Sequence, residues 1–422
     1  MRPRHLGPSR SRIPLTQVSD TSAPKPAPRT PPGLLTLILL SGISALGMNI
    51  FQPSLPGMAK YFDVDYHLMA LSVPAYLATS AVVQILCGPI SDKLGRRPVL
   101  FWSLLIFLLF TVGCIFAPTA GLFLMCRMGQ AIGTTCMVLS RAAVRDMYEG
   151  PKAASMIGYV TMGMTLVPML GPALGGILDQ AYGWQANFWL LFACALVTLW
   201  LFWVDFGETA HASGKTLGEQ FGEYPELLRS PRFWGYSLAS GWSAGSFFAY
   251  LGGAPFVGTH IYGLSSGELG LFFSAPAVGY FLGNYLSGRF SEQVGINSMV
   301  LWGTCINLFG VALSLGISLA GLGTVWSFFG LMCFVGLGNG LAIPNGTTGA
   351  IGVRPHLAGT AAGLSSAIMI GSGAALSAMA AALLGEGSTA APLLGIMAAS
   401  GLGGLLAIAT VMRREAQLAR QI

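Results

Sequence analysis

Apolar residues run through this chain in long blocks, and polar residues gather in the short breaks between them. The first six blocks are Leu34–Gln52, Met69–Ile90, Pro98–Ala117, Ala120–Ser140, Ala153–Leu178 and Asn187–Val204. Six more follow: Phe233–Phe256, Leu269–Ser287, Ser298–Leu319, Thr324–Asn345, Leu357–Leu384 and Leu393–Met412. Each is close to the ~20 residues a helix needs to cross a bilayer. The pattern predicts an all-α membrane protein with twelve spanning helices. One longer polar stretch, Asp205 to Arg232, divides them six and six, and it carries Glu208, Lys215, Glu219, Glu223 and Glu226. The expected organisation is an N-terminal tail (1–33), a six-helix bundle (34–206), a linker (207–232), a second six-helix bundle (233–412) and a short C-terminal tail (413–422).

The breaks are not all alike. Gly88-Pro89-Ile90-Ser91-Asp92-Lys93-Leu94-Gly95-Arg96-Arg97 carries four charges in a chain that is 9% charged. It reads as a tight turn, with glycines at both ends letting the backbone turn and the flanking helices approach. The frame returns as Gly288-Arg289-Phe290-Ser291-Glu292-Gln293-Val294-Gly295. Both glycines, the serine and an acid fall in register, while Arg96-Arg97 become Ile296-Asn297. The same offset sets Gly171 against Gly371. A match between equivalent breaks points to an internal duplication.

Charge fixes the expected orientation. With the N-terminus inside, all but two of the 22 Lys and Arg residues fall in cytoplasmic segments, the exceptions being Lys60 and Arg127. This asymmetry places both termini in the cytoplasm and supports the count of twelve. It also accounts for the formal charge of +6 without a nucleic-acid partner. The chain is 53% hydrophobic with a mean hydropathy of +0.66, whereas a soluble chain carries about 25% charged residues. Trp184, Trp234 and Trp326 are expected at membrane interfaces. The tail, rich in Pro, Ser and Arg, is expected to be disordered, and it has no signal-peptide pattern. Cys87, Cys114, Cys126, Cys136, Cys194, Cys305 and Cys333 all lie in apolar runs without metal-ligand spacing, so they read as packing residues. No metal or other cofactor is expected. Without a nucleophile–base pair or a nucleotide-binding loop, neither is an enzyme. The chain is expected to act as a monomer among membrane lipids.

Twelve helices in two related halves, with the turn Gly88–Arg97, resemble the major facilitator superfamily. The resemblance implies that Gly88, Asp92, Lys93, Gly95, Arg96 and Arg97 form a signature loop whose contacts lock the cytoplasmic side shut. An acid near a facing helix N-terminus gains from its dipole, which makes such a lock physically reasonable. In the fifth block, Pro168-Met169-Leu170-Gly171-Pro172-Ala173-Leu174-Gly175-Gly176 resembles the motif of the antiporter branch. Prolines remove backbone donors and glycines permit bending, so this helix can flex as a hinge. Gln52–Pro56, Arg141–Tyr148, Gly183–Phe188 and Ala254–Val257 narrow the likeness to the Bcr/CflA drug-resistance exporters. The resemblance covers roughly residues 34–410.

Arg127 is the sharpest single residue. A charge within a membrane helix costs about 2.5–3.5 kcal/mol on insertion scales and marks a functional site by default. Arg127-Met128-Gly129-Gln130-Ala131-Ile132-Gly133 resembles the superfamily's fourth-helix motif, which implies a role in proton or substrate coupling. The subfamily's first helix ends in a segment with an aspartate, where this chain reads Asn49-Ile50-Phe51-Gln52-Pro53. Asparagine can hydrogen-bond an arginine but cannot carry a proton. Tyr76, Gln84, Tyr159, Met162, Phe247, Tyr250 and Asn284 are further candidates for a mostly apolar cavity, of the kind that suits a small amphiphilic substrate.

The leading expectation is a multidrug exporter of a bacterial inner membrane, working by alternating access as a proton-coupled antiporter. The missing acid keeps open a metabolite exporter or uncoupled facilitator. A transport-dead, ligand-binding membrane protein is the reading from another class.

Overall fold

The structure, a computed structural model, describes residues 32–148, 150–209, 224–354, 357–385 and 387–419. The expected disordered tail therefore lies almost wholly outside the described residues, as does most of the linker. Six long helical segments form the first half. They are α1 (Leu34–Tyr61), α2 (Tyr66–Leu94), α3 (Arg96–Ile115), α4 (Ala120–Met147), α5 (Gly150–Tyr182) and α6 (Gln185–Asp205). The second half holds α7 (Pro231–Phe256), α8 (Ser266–Val294), α9 (Ile296–Leu319), α10 (Trp326–Gly352), α11 (Ala358–Leu383) and α12 (Ala391–Ala419). Ten of these helices are both long and apolar enough to cross a membrane. The other two, α5 and α7, have 33 and 26 residues and complete the twelve.

Several large apolar side chains face outward, including Trp102, Leu109, Trp200, Trp302 and Leu406. A soluble fold would hide them, whereas a bilayer solvates them. Trp326 is 74% exposed at a helix end, as an interfacial tryptophan should be. Trp184 is not. It is 4% exposed and packs edge-on against Phe123 and Phe188. Its apolar bulk fills a core where α1, α4 and α6 meet. All seven cysteines are free.

The two halves meet along α2 with α11 and along α5 with α8. Several of their polar and aromatic contacts lie at the end opposite the basic turn. There Tyr66 Oη donates to Gly252 O at 3.3 Å, and His67 Nδ1 lies 2.7 Å from Ala381 O. The Tyr66 ring packs on Phe256 with centroids 5.2 Å apart. Glycines make the α5–α8 contact possible: a Cβ on Gly176 would lie 2.2 Å from Ser266 O, and one on Gly270 2.4 Å from Pro172 O. On the other flank of α5, a Cβ on Gly175 would lie 1.8 Å from Ile50 O of α1. α5 is thus a thin wedge between the halves. Its glycines serve close approach, and the helix runs unbroken through Pro168, Gly171 and Pro172.

The duplicated turns share one backbone device. Gly95 and Gly295 have φ of +96° and +87°, and each amide donates to the carbonyl of Ser91 or Ser291 at 2.9 Å. Only glycine adopts that conformation without strain. Gly88 and Gly288 have open space where a Cβ would go, so the expected close helix approach does not occur there. Gly371 likewise has open space, while a Cβ on Gly171 would sit 3.5 Å from Leu46.

Candidate functional site

Arg127 lies in the middle of the first bundle and is 1% exposed. It does not snorkel. Two helix irregularities make room for it. The α-helical ladder of α1 stops at Asn49 and resumes after a short 3₁₀ turn at Gln52–Ser54, where Pro53 supplies no amide. α4 tightens into a 3₁₀ turn at Ala131–Gly133. Such breaks free backbone groups for a site. A Cβ on Gly133 would lie 2.7 Å from the Phe107 ring, and one on Gly129 2.5 Å from Phe110. These two glycines therefore let α3 press against α4 at this level.

The guanidinium is sandwiched between rings, 4.2 Å from the Phe51 centroid and 4.5 Å from the Tyr76 centroid. Cation–π contacts of this kind contribute about 2 kcal/mol each when desolvated. Nη1 donates to Gly47 O at 3.0 Å and to Gln130 Oε1 at 2.6 Å. Gln130 Nε2 donates on to Thr111 Oγ1 at 2.8 Å, and Thr111 donates to Phe107 O at 2.7 Å. Nε and Nη2 have no partner among the described residues.

Other buried polar atoms on α1 and α2 are also unpaired. Asn49 Nδ2 bonds to Ala45 O in its own helix at 2.7 Å, leaving Oδ1 without a partner. Gln52 Oε1, Tyr76 Oη and both ends of the Gln84 amide are unpaired too. Ser72, Tyr76, Ser80 and Gln84 follow one another at every fourth residue, so they share a face of α2, and all four are buried. The sequence singled out Tyr76 and Gln84 as candidates; Ser72 and Ser80 were not named, although the spacing that puts them on the same face was readable. Phe51 and Thr111 were missed as well, because nothing in one sequence shows which rings and hydroxyls face Arg127.

The remaining candidates lie elsewhere. Tyr250 is fully buried in an aromatic cluster, with ring centroids 5.0 Å from Phe273 and 6.3 Å from Phe328, and Phe247 stacks on it. Asn284 donates to Tyr280 O of its own helix at 2.8 Å. Tyr159 is 48% exposed on α5. The side chains of Met162 and Pro168 lie outside the described residues.

At the basic end, Arg96 is the hub. It pairs with Asp92 at 2.5 Å and with Asp146 of α4 at 3.0 Å, and it donates to Ser91 Oγ. Arg97 lies over the Trp203 ring at 5.6 Å. Lys93 shows no ion pair among the described residues. The acid at a helix N-terminus is Glu208, which accepts from the amides of Arg96 and Arg97 at 2.8 and 3.2 Å. All these contacts stay within the first bundle and the start of the linker. In the second bundle Glu415 of α12 plays the matching part. It accepts from Arg232 and Tyr236 of α7 at 2.5 and 3.1 Å, and from Asn297 of α9 at 2.5 Å.

The sequence profile of the Major Facilitator Superfamily matches residues 37–378. The chain is 30% identical to a chloramphenicol resistance protein of Pseudomonas aeruginosa over 333 residues, 77% of this chain and 78% of that protein. It is 30% identical to multidrug resistance protein D of Escherichia coli over 353 residues, 82% and 88% of the two chains. A bicyclomycin resistance protein homologue of Haemophilus influenzae is 26% identical over 87% of this chain and 92% of its own length. Among solved structures, a bacterial homologue of the human lysosomal transporter Spinster, inward-facing and unoccupied, superposes with a TM-score of 0.65. It is 17% identical and covers 90% of this chain and 94% of its own, a likeness of fold. Family and fold are those of membrane transporters rather than enzymes. Twelve helices in two six-helix halves, a duplicated glycine turn and these relatives make the chain a multi-pass membrane protein that belongs to the major facilitator superfamily, among its drug-resistance exporters.

Proposed function

We propose that this chain exports small amphiphilic toxic compounds across a bacterial inner membrane by alternating access, as a monomer with its basic end and both termini in the cytoplasm. The carrying observation is the buried Arg127 platform at the two helix breaks, inside a fold whose halves can rock about their shared faces. The relatives named for chloramphenicol and multidrug resistance support the substrate class. The basic end supports the orientation. In this orientation the contacts of Tyr66, His67 and Gly176 close the outer side. Asp92, Arg96 and Asp146 brace the cytoplasmic side of the first bundle.

Proton antiport requires a group on the path that changes charge. The groups that touch Arg127 are Gly47 O, Gln130, Phe51 and Tyr76, and no carboxylate or histidine is among them. This favours a second reading alongside antiport, an uncoupled facilitator or metabolite exporter. Purified protein in liposomes with an internal pH dye separates the two, with chloramphenicol and tetraphenylphosphonium as substrates. Proton movement in the native protein, lost in Arg127→Ala, supports antiport. Substrate flux without proton movement supports the facilitator, and proton movement in Asn49→Asp alone marks the site from which the acid is missing. Binding without flux of any substrate overturns the export reading.

A further inference from the structure

The substrate class follows from what Arg127 lacks, given the export reading above. The chain has 16 acidic residues. Those nearest the membrane helices of the first half stand at the ends: Asp63 and Asp65 before α2, Asp92, Asp146 and Asp205 at the basic end, Glu149 between α4 and α5 in sequence, and Asp179 at the far end of α5. No carboxylate stands in the middle third of any predicted helix, including those whose side chains are not described. Arginine keeps its charge at any physiological pH. Arg127 is therefore a permanent, desolvated positive charge with no carboxylate paired to it among the described residues, an arrangement that favours an incoming anion.

The geometry says how an anion would be held. Of the guanidinium's five donors, the two on Nη1 are taken by Gly47 O and Gln130 Oε1. The unpaired donors are on Nε and Nη2, which together form the side edge of the planar fork. That edge matches two oxygens of a carboxylate. The alternative ligand, a lipophilic cation, finds neither of its usual partners here. It has no acid to pair with, and the faces of Phe51 and Tyr76 already carry the guanidinium at 4.2 and 4.5 Å. Gln130, anchored on Thr111, keeps Nη1 turned away from the free edge. Tyr76 Oη and Gln84 Nε2 add buried donors without partners.

We infer that Arg127 is a specificity-determining residue and that the chain's preferred cargo is an amphiphilic monoanion whose carboxylate docks on the Nε–Nη2 edge as the bundles open.

Three probes share one fluorescent skeleton: 2-naphthoate, 2-naphthamide and 2-naphthylmethylammonium. Their equilibrium binding to the full chain in nanodiscs should rank naphthoate tightest, on the order of tenfold or more over the ammonium. Arg127→Lys keeps the charge without the fork, so the preference should shrink but survive. Arg127→Gln should abolish it, and Asn49→Asp should reverse it. Elution as a single monodisperse peak shows that each variant is folded. Equal or tighter binding of the ammonium to the native chain, no binding of naphthoate, or naphthoate affinity unchanged in Arg127→Gln overturns the inference. Flux in liposomes separates this failure from that of the export reading. Transport of tetraphenylphosphonium without naphthoate preference leaves export standing and removes the anion site. Arg127-dependent naphthoate binding without flux of any compound does the reverse.

Discussion

Gln130 Oε1 accepts from Arg127 Nη1 at 2.6 Å while its own Nε2 donates to Thr111 Oγ1 at 2.8 Å. One amide thus ties the charged group of α4 to the backbone of α3, since Thr111 bonds onward to Phe107 O. Gln130→Leu keeps the volume and removes the link, leaving Arg127 with one carbonyl partner. A lost hydrogen bond to a buried charge costs about 1.5–3 kcal/mol. The expected outcome is a lower thermal midpoint in detergent together with weaker substrate binding. Gln130→Glu should behave oppositely, raising the midpoint while suppressing transport, because a fixed counter-charge neutralises Arg127. If Gln130→Glu transports like the native chain, Arg127 does not act through its charge.

Arg96 offers a test of what the signature loop braces. Its partners differ: Asp92 lies one turn away in sequence, and Asp146 belongs to α4. The side chain of Arg96 is 11% exposed and that of Asp146 18%. Screening is thus weaker than at a surface pair. A double-mutant cycle on Arg96→Ala and Asp146→Ala, read by thermal unfolding, should give a coupling of about 0.5–3 kcal/mol. The cycle with Asp92→Ala should give less, because Asp92 is more exposed than Asp146, at 28%, and so is more strongly screened. Coupling of zero between Arg96 and Asp146 would mean that the loop does not hold α3 to α4.

The architecture was legible because membrane helices announce themselves by length and polarity alone. The twelve blocks, the duplicated turn and the lone Arg127 all came from one sequence. What could not be read was facing. Trp184 stood at a helix end and read as interfacial, yet its neighbours Phe123 and Phe188 enclose it. Glu208, which caps α3 from 112 residues away, carried no signal in the sequence. The stripe Ser72, Tyr76, Ser80 and Gln84 was within reach, because its four-residue spacing is a sequence property. The pairing of Arg127 with Phe51 and Thr111 was not, because it depends on how three helices are rotated.

Glycines of the two signature motifs should separate sharply on substitution. Gly88→Ala meets open space and should change stability by less than about 0.5 kcal/mol. Gly295→Ala also meets open space but must hold φ near +87° with ψ near 150°, a region essentially reserved for glycine, at a cost of about 1–3 kcal/mol. Gly175→Ala drives a methyl to within 1.8 Å of Ile50 O, against backbone that cannot step aside. It should be the worst of the three and should cut the yield of folded protein. Thermal midpoints of the three purified variants give the order, and a Gly88→Ala more damaging than Gly175→Ala would show that α1 and α5 are not wedged together as described.

The acids that close each bundle at the basic end should differ in weight. Glu208 caps α3 through two backbone amides, and Asp205 does the same for α1, accepting from Gly33 N at 2.7 Å and from Thr36 Oγ1. Removing a cap costs about 0.5–2 kcal/mol, and the two amides of α3 that lose Glu208 are exposed to water, so Glu208→Ala should be mild. Glu415 alone gathers Arg232, Tyr236 and Asn297, joining α12 to α7 and α9. Glu415→Ala takes the acceptor from Arg232 Nη2 and Asn297 Nδ2 at once, while Tyr236 keeps Asn297 Oδ1 at 2.6 Å, and should cost more, about 2–4 kcal/mol. Glu415→Gln retains an acceptor and should recover part of that loss. Thermal unfolding of the three variants at low and high salt checks the order, with the Glu415→Ala deficit shrinking as salt screens the Arg232 pair. A Glu208→Ala deficit larger than that of Glu415→Ala would place the main brace at the basic end in the first bundle.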